Sequence, residues 1–274
     1  MGPRETWDTL WEAGKHADAE RLAREVVEEE ATERCRRILR YVERLGLPPG
    51  EMSAVEVGCG SGIYSCILAR RGARVTAVDQ SPAALTRAEE RASASGVRLD
   101  LQRADAFEFA AANAGRFDLA MSFGTVEHFR PPLREEMCKA HWNVVRPGGV
   151  VVISVPNVLF LPHEILKALL KLRGKWFLGY EGSFTPWELG GVARRLGLEA
   201  VEYHGTDVLD DARRYARIVR ETALWRKTFP WRASRGTEGD GSGSGRPSRE
   251  PGRLRAAINR SLGHDITLMG VRGN

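Results

Sequence analysis

Apolar residues along the chain fall into short runs separated by stretches with helical spacing. Val55 to Val57, residues 75–79, residues 117–122 and residues 150–155 each have the length of one strand, bounded by glycine, proline or polar turns. The run 150–155 (Val-Val-Val-Ile-Ser-Val) is apolar almost throughout, as a central strand covered on both faces must be. Residues 97–103 alternate as another strand, and 198–204 and 265–271 supply two more. Between them, Ser81 and Pro82 open a helix running to about Ala94, with Ser81 as N-cap and Pro82 in the first turn. Thr185-Pro186-Trp187-Glu188 has the spacing of a capping box and opens a helix that ends at Gly197.

Four further segments surround this core. Residues 1–47 are mostly helical, and Leu22, Val26, Cys35, Ile38, Leu39 and Val42 mark an apolar face. Trp7 and Trp11 lie four apart on one side of a short leading helix, which fits either a lid or a helix docked on the core. Residues 156–185 follow the strand at 150–155 and form a cap: an apolar helix interrupted at Pro162 and His163, then an aromatic turn. That cap suits an apolar, partly aromatic ligand through His163, Trp176 and Tyr180. Its Lys167, Lys171, Arg173 and Lys175 equally suit anionic lipid headgroups, and the plainest reading is a cover for the core. Within the insertion at 206–263, residues 207–231 are helical and basic, while 233–253 hold too few apolar side chains to order themselves and form a flexible loop. A short helix at 254–262 leads into the last strand.

The chemistry concentrates at Glu56-Val57-Gly58-Cys59-Gly60-Ser61-Gly62 and at Asp79. Glycines in such a strand-to-helix loop let backbone approach a ligand where a Cβ would collide. An acidic residue ending the next strand can accept hydrogen bonds from both ribose hydroxyls, so the pair indicates a nucleoside cofactor. The spacing G-x-G-x-G departs from the dinucleotide pattern G-x-G-x-x-G, and Glu56 suits a cationic ammonium and sulfonium better than a pyrophosphate. A nicotinamide oxidoreductase is disfavoured on both counts.

In these motifs the chain resembles the class I S-adenosylmethionine (SAM)-dependent methyltransferases, whose first motif is E-x-G-x-G-x-G. The resemblance extends in order through Asp79, the Asp105-Ala106 pair, Phe123-Gly124-Thr125 and the Pro147-Gly148-Gly149 turn before the strand at 150–155. It implies a Rossmann-like α/β fold, a doubly wound seven-stranded sheet with the last strand antiparallel, over residues 48–274. It further implies SAM as cofactor and S-adenosylhomocysteine as product. Glu56, Gly58, Gly60 and Gly62 would then hold the methionine end, Asp79 the ribose, and Asp105 and Ala106 the adenine, with Cys59 and Gln80 also in the cofactor site. Gly124 and Thr125 would line the path to the sulfonium, and Phe123 would also belong to the cofactor site. Glu127 and His128 resemble the end of an E-x-x-E-H pattern in ubiquinone-biosynthesis O-methyltransferases, where it can hold a divalent metal. The first Glu of that pattern is Gly124 here, so no metal is expected, and His128, with Glu127 beside it, becomes the candidate general base.

Composition sets bounds. The chain has 274 residues, 42% of them hydrophobic, enough for one domain with additions. The cysteines (35, 59, 66 and 138) lack C-x-x-C spacing, no apolar run reaches bilayer length, and the N-terminus is no secretory signal, so a reducing cytoplasm is expected. A net charge of +5, from 41 basic and 36 acidic residues, is too balanced to indicate nucleic acid. The expected activity is methyl transfer from SAM to an O or N atom of a small-molecule acceptor, by a monomer or homodimer with at most weak membrane-surface contact. Two alternatives stand beside it: an RNA or protein methyltransferase working through the basic 207–253 insertion, and a non-catalytic SAM-binding protein.

Overall fold

The computed structural model of the chain describes residues 7, 8, 11, 18–221, 258, 259 and 261–273. Its centre is a seven-stranded sheet made of β1 (Ser53–Val57), β2 (Arg74–Asp79), β3 (Asp100–Arg103), β4 (Phe117–Phe123), β5 (Val145–Pro156), β6 (Leu198–Gly205) and β7 (Asp265–Arg272). The strand order is β3-β2-β1-β4-β5-β7-β6, parallel from β3 to β5, with β7 inserted antiparallel between β5 and β6. This is the Rossmann-like topology that the resemblance implied. Because the chain runs outward from β1 to β3 and then returns to place β4 on the other side of β1, a crevice opens beyond the C-terminal ends of β1 and β4.

Alternation along β5 explains why its sequence is apolar throughout. Val151, Ile153 and Val155 join one core cluster, while Val150 and Val152 join the other, so both faces of the strand are covered. The second cluster is closed by α1 (Ala19–Glu30), α2 (Glu33–Arg44), α3 (Ile63–Arg70) and α4 (Pro82–Ala94). The first is closed by α5 (Ala106–Ala112), α6 (Leu133–Val144) and α8 (Pro186–Arg195). Over the C-terminal end of the sheet lie α7 (Leu161–Leu172) and α9 (Val208–Glu221), in mutual contact.

Several local readings hold in detail. The Ser81 hydroxyl caps α4 by accepting from Ala84 N–H at 3.2 Å. Thr185 Oγ1 accepts from Glu188 N–H at 3.0 Å, which is one half of a capping box, but the Glu188 carboxylate turns instead to Arg134 on α6. The helical stretch before residue 45 is two helices, because the Thr32 hydroxyl accepts from Cys35 N–H and starts α2 afresh. Strand β3 begins three residues later than the alternation at 97–103 indicated. There Gly96 adopts φ +68° and Val97 N–H donates back to the Ala92 carbonyl, so the C-cap of α4 consumes those residues. Strand β5 begins earlier than its apolar run: Arg146-Pro147-Gly148-Gly149 is absorbed by a register shift against β4, held where Arg146 Nε donates to Asp118 Oδ1 at 2.6 Å. Most of the basic insertion, the loop 233–253 and the start of the helix at 254–262 lie outside the described residues.

Candidate active site

The loop from β1 to α3 is shaped by its glycines. Gly58 and Gly60 adopt φ +68° and +51°, a left-handed conformation that costs other residues roughly 1–2 kcal/mol. At Gly58 a Cβ would also lie 2.5 Å from the Thr125 side chain, so a side chain there is excluded by contact as well as by backbone. The Asp79 carboxylate closes the loop, with Oδ2 accepting from Gly60 N–H and Oδ1 from Ser81 N–H, each at 2.9 Å. Burial raises the pKa of Asp79, partly offset by these bonds.

Glu56 does not stand open in the crevice. It is buried, and Oε2 accepts from Ser65 N–H at 2.9 Å and Ser65 Oγ at 2.5 Å in the first turn of α3. Burial pushes its pKa up to about 7 against the pull of the Ser65 bonds, and Asp79 adds to the rise. Cys59 is likewise buried, its thiol raised by burial and by Glu56 and Asp79, so it has no nucleophilic character. Gln80, half-buried, accepts at its carbonyl from Arg103 Nε. Asp105 caps α5, with Oδ1 accepting from Phe107 N–H at 2.9 Å and Glu108 N–H at 3.3 Å, and Ala106 is the first residue of that helix.

The end of β4 brings the other candidates to the same crevice. Phe123 stacks on Tyr64, Gly124 is exposed at φ +71°, and Thr125 Oγ1 donates to the Gly58 carbonyl at 3.2 Å, tying the two loops together. In the next turn the His128 Nδ1 lies 2.9 Å from the Tyr180 carbonyl oxygen. A carbonyl only accepts, so Nδ1 carries the proton and Nε2 keeps its lone pair. Burial depresses the His128 pKa below the usual 6.5, which leaves this neutral tautomer in place at neutral pH. Glu127 Oε1 lies 4.0 Å from that Nε2, whereas Oε2 is buried with no hydrogen-bond partner among the described residues. Burial, with Glu181 and Asp265 nearby, raises the Glu127 pKa well above the usual carboxylate range.

Behind Glu127 runs a buried polar network that no sequence pattern signalled. His163 Nε2 donates to Glu181 Oε1 at 2.7 Å, and its Nδ1 meets Tyr215 OH at 2.7 Å. Tyr215 OH meets His264 Nε2 at 2.8 Å, and His264 Nδ1 lies 3.1 Å from Asp265 Oδ1. The Tyr215 hydroxyl thus links the two imidazoles, each of which also faces a carboxylate. Lys167 Nζ, 3.3 Å from Glu181 Oε1, and Arg34, 2.8 Å from Asp265 Oδ2, close the two ends. Burial would raise the pKa of Asp265, but its bonds to His264 and Arg34 hold it at about 2. With both ring nitrogens engaged, His163 knits the cap together. Trp176 donates from Nε1 to the Gly179 carbonyl beneath Lys171, and Tyr180 contributes its carbonyl to His128 while Arg130 covers its ring.

Three residues of the leading segment lie across the crevice. Trp7 packs edge-on against the His128 ring, with centroids 4.7 Å apart. Asp8 accepts from the Ser81 hydroxyl, next to Asp79. A Cβ on Gly60 would lie 2.7 Å from the Trp11 indole, which therefore covers the glycine loop.

Comparison with known proteins bears on what this crevice is. A family model described as a methyltransferase domain matches residues 54–149, which span β1 to the start of β5. An enzyme named ubiquinone biosynthesis O-methyltransferase from Ralstonia nicotianae is 33% identical over 174 residues, covering 62% of this chain and 72% of that protein. The chain belongs to the class I SAM-dependent methyltransferases. A protein of the same name from Aromatoleum aromaticum is 37% identical over 155 residues, 55% of this chain, and the chain spans just under two thirds (65%) of its length. A solved SAM-dependent methyltransferase from Archaeoglobus fulgidus superposes with a TM-score of 0.52 at 15% identity, covering 85% of this chain and 92% of that one, which shows the shared fold.

The crevice fits the cofactor of a SAM-dependent methyltransferase. Gly58 and Gly60 leave no room for a side chain between the loop and Thr125 or Trp11, and Asp79 holds a carboxylate at the end of β2. A divalent metal fits less well, because Gly124 stands where a third ligand beside Glu127 and His128 would be needed. Among the described residues no group of three or more His, Cys, Asp or Glu side chains is placed to hold one. No helix among them is long and apolar enough to cross a membrane.

Proposed function

We propose that this chain transfers a methyl group from SAM to a hydroxyl oxygen of a small, largely apolar acceptor, with His128 as general base. The observation that carries the proposal is the bond from His128 Nδ1 to the Tyr180 carbonyl, which fixes the tautomer and leaves Nε2 as a free base beside the crevice. The printed names of the relatives, O-methyltransferases of ubiquinone biosynthesis, support oxygen as the atom methylated.

Bound SAM supplies a methyl carbon already activated by its sulfonium. The chain's own residues then have three tasks. Glycines 58, 60 and 62 with Asp79 seat the cofactor against the ends of β1 and β2. Asp105 keeps one carboxylate oxygen, Oδ2, clear of its capping bonds for the adenine side. His128 Nε2 takes the acceptor's hydroxyl proton, so that its oxygen becomes the nucleophile. Glu127, buried beside His128 with its Oε1 4.0 Å from Nε2, backs the base rather than facing the acceptor. Trp7 forms an aromatic wall beside the base, and Trp11 excludes water from the loop.

The test uses methyl-labelled SAM and a panel of apolar phenols and aryl amines, with products located by mass spectrometry. Methyl ethers from the phenols, with products from the amines absent, are expected. Methylated amines as the only products would contradict the reading.

A further inference from the structure

The carbonyl that fixes the His128 tautomer belongs to a strap, residues 180–184, running between α7 and the turn after β4. Tyr180 contributes only its backbone to that histidine. Its ring turns back over Gly182, where a Cβ would lie 2.6 Å from the phenol oxygen, and the Arg130 guanidinium covers it at 4.1 Å. The next residue, Glu181, is 7% exposed and reaches to α7. There its Oε1 accepts from His163 Nε2 at 2.7 Å and from Lys167 Nζ at 3.3 Å. His163 and Lys167 are four apart, so both meet the strap from one face of the helix. On the other side of Glu181, Gly182 N–H donates to the Glu127 carbonyl at 2.9 Å, and the Gly182 carbonyl accepts from Arg134 Nη1 at 3.0 Å.

The Tyr180–Glu181 peptide is a rigid plane, so whatever anchors Glu181 also aims the Tyr180 carbonyl. Two contacts supply the anchor: the carboxylate held by α7, and the Gly182 amide held by Glu127. A carboxylate, an imidazole and an ammonium are a costly filling for a buried contact. Apolar side chains of similar volume would pack as well or better. What the charged set adds is direction, since hydrogen bonds to an ionised acceptor fix geometry where apolar contacts leave it loose. Burial would raise the Glu181 pKa, but His163 and Lys167 hold it below the ordinary carboxylate value, so the acceptor stays charged.

We infer that Glu181 is a positioning residue for His128: clamped by His163 and Lys167, it aims the Tyr180 carbonyl at Nδ1 and so keeps Nε2 free of its proton. On the reading of His128 as the base, on which this rests, the base is set from the cap through α7 rather than within its own turn. Loosening the clamp frees the ring to carry its proton on Nε2 instead. In that tautomer the nitrogen beside the crevice is a donor and cannot take a proton from a hydroxyl. His163 and Lys167 then act without touching the acceptor.

The test is NMR of the full chain with its histidine ring nitrogens isotopically labelled. Correlations between ring C–H groups and ring nitrogens show which nitrogen holds the proton, and the His128 signals are those missing from His128→Asn. Three variants are compared: Glu181→Ala, His163→Leu, and His163→Gln, which keeps an N–H donor for Glu181. Each is checked by a cooperative thermal melt and by titration with S-adenosylhomocysteine, and its kcat is measured with a phenol of the acceptor panel. The wild type is expected to carry the proton on Nδ1. Glu181→Ala and His163→Leu should move it wholly or partly to Nε2 and lower kcat by about 10- to 100-fold, with cofactor affinity kept. His163→Gln should restore both the Nδ1 proton and most of the lost kcat. A wild type protonated on Nε2 would overturn the inference, as would a folded Glu181→Ala that keeps the wild-type ring signals. Equal losses of kcat and cofactor affinity would also overturn it, because the clamp would then be a general packing element. Should Glu181→Ala fail to fold, His163→Leu decides in its place. Undiminished kcat in His128→Asn would remove the base reading alone, since the ring signals need no turnover and judge the clamp independently.

Discussion

His128 owes its base form to a backbone carbonyl 52 residues away in sequence, to which it donates. Replacing it by asparagine should lower kcat/KM by about 10²- to 10⁴-fold. The wild type should lose activity on acidification along a limb lying below pH 6.5, since burial depresses this pKa, and the limb should vanish in His128→Asn. A pH–rate profile of both proteins checks this, and an unchanged limb would assign the titration to another group. Glu56 provides a separate pH effect, on stability. Its native pKa of about 7 exceeds the ordinary 4.5, so the folded state binds the extra proton. The stability it contributes is therefore full below pH 4.5 and is lost as pH rises toward about 7, on the order of 3 kcal/mol in all. Glu56→Gln keeps an oxygen for Ser65 and removes the titration. Denaturant unfolding should accordingly show the variant gaining on the wild type between pH 5 and 8.

At the scale of elements, what could be read from sequence was local. Ser81 and Thr185 announced their caps because the donor each satisfies lies three residues on. The glycine loop and Asp79 were legible because their geometry is set within one strand–loop–strand unit. The network behind Glu127 was not, since Glu181 meets His163 from 18 positions away and His264 reaches Tyr215 across 49. Those pairs exist only once α7, α9 and β7 converge. Glu56 was partly misleading for the same reason: its place in the motif was plain, but Ser65, nine residues on, claims its carboxylate. The leading segment had two readings from sequence, and its tryptophans lie on the glycine loop and against His128. Trp11→Ala should consequently weaken S-adenosylhomocysteine binding by about tenfold, or 1.4 kcal/mol, with little change in melting temperature. Calorimetry alongside a thermal melt checks this. An equal loss of thermal stability would make Trp11 a packing residue.

For the whole molecule, the sheet has the doubly wound form that the resemblance implied, and alternate residues of β5 belong to opposite faces of the core. That arrangement puts the glycine loop, Asp79, the end of β4 and the cap at one edge. The cap and the network behind Glu127 arise instead from contacts between distant segments, which short-range patterns do not encode. The central claim is that this edge binds SAM, and calorimetric titration with S-adenosylhomocysteine tests it most directly, run beside NADH and an Asp79→Ala variant. The account predicts micromolar binding of S-adenosylhomocysteine, no binding of NADH, and at least about a tenfold loss in the variant, as expected for removing charged hydrogen bonds worth ~1.5–3 kcal/mol each. No binding of S-adenosylhomocysteine, or binding that Asp79→Ala leaves unchanged, would contradict it.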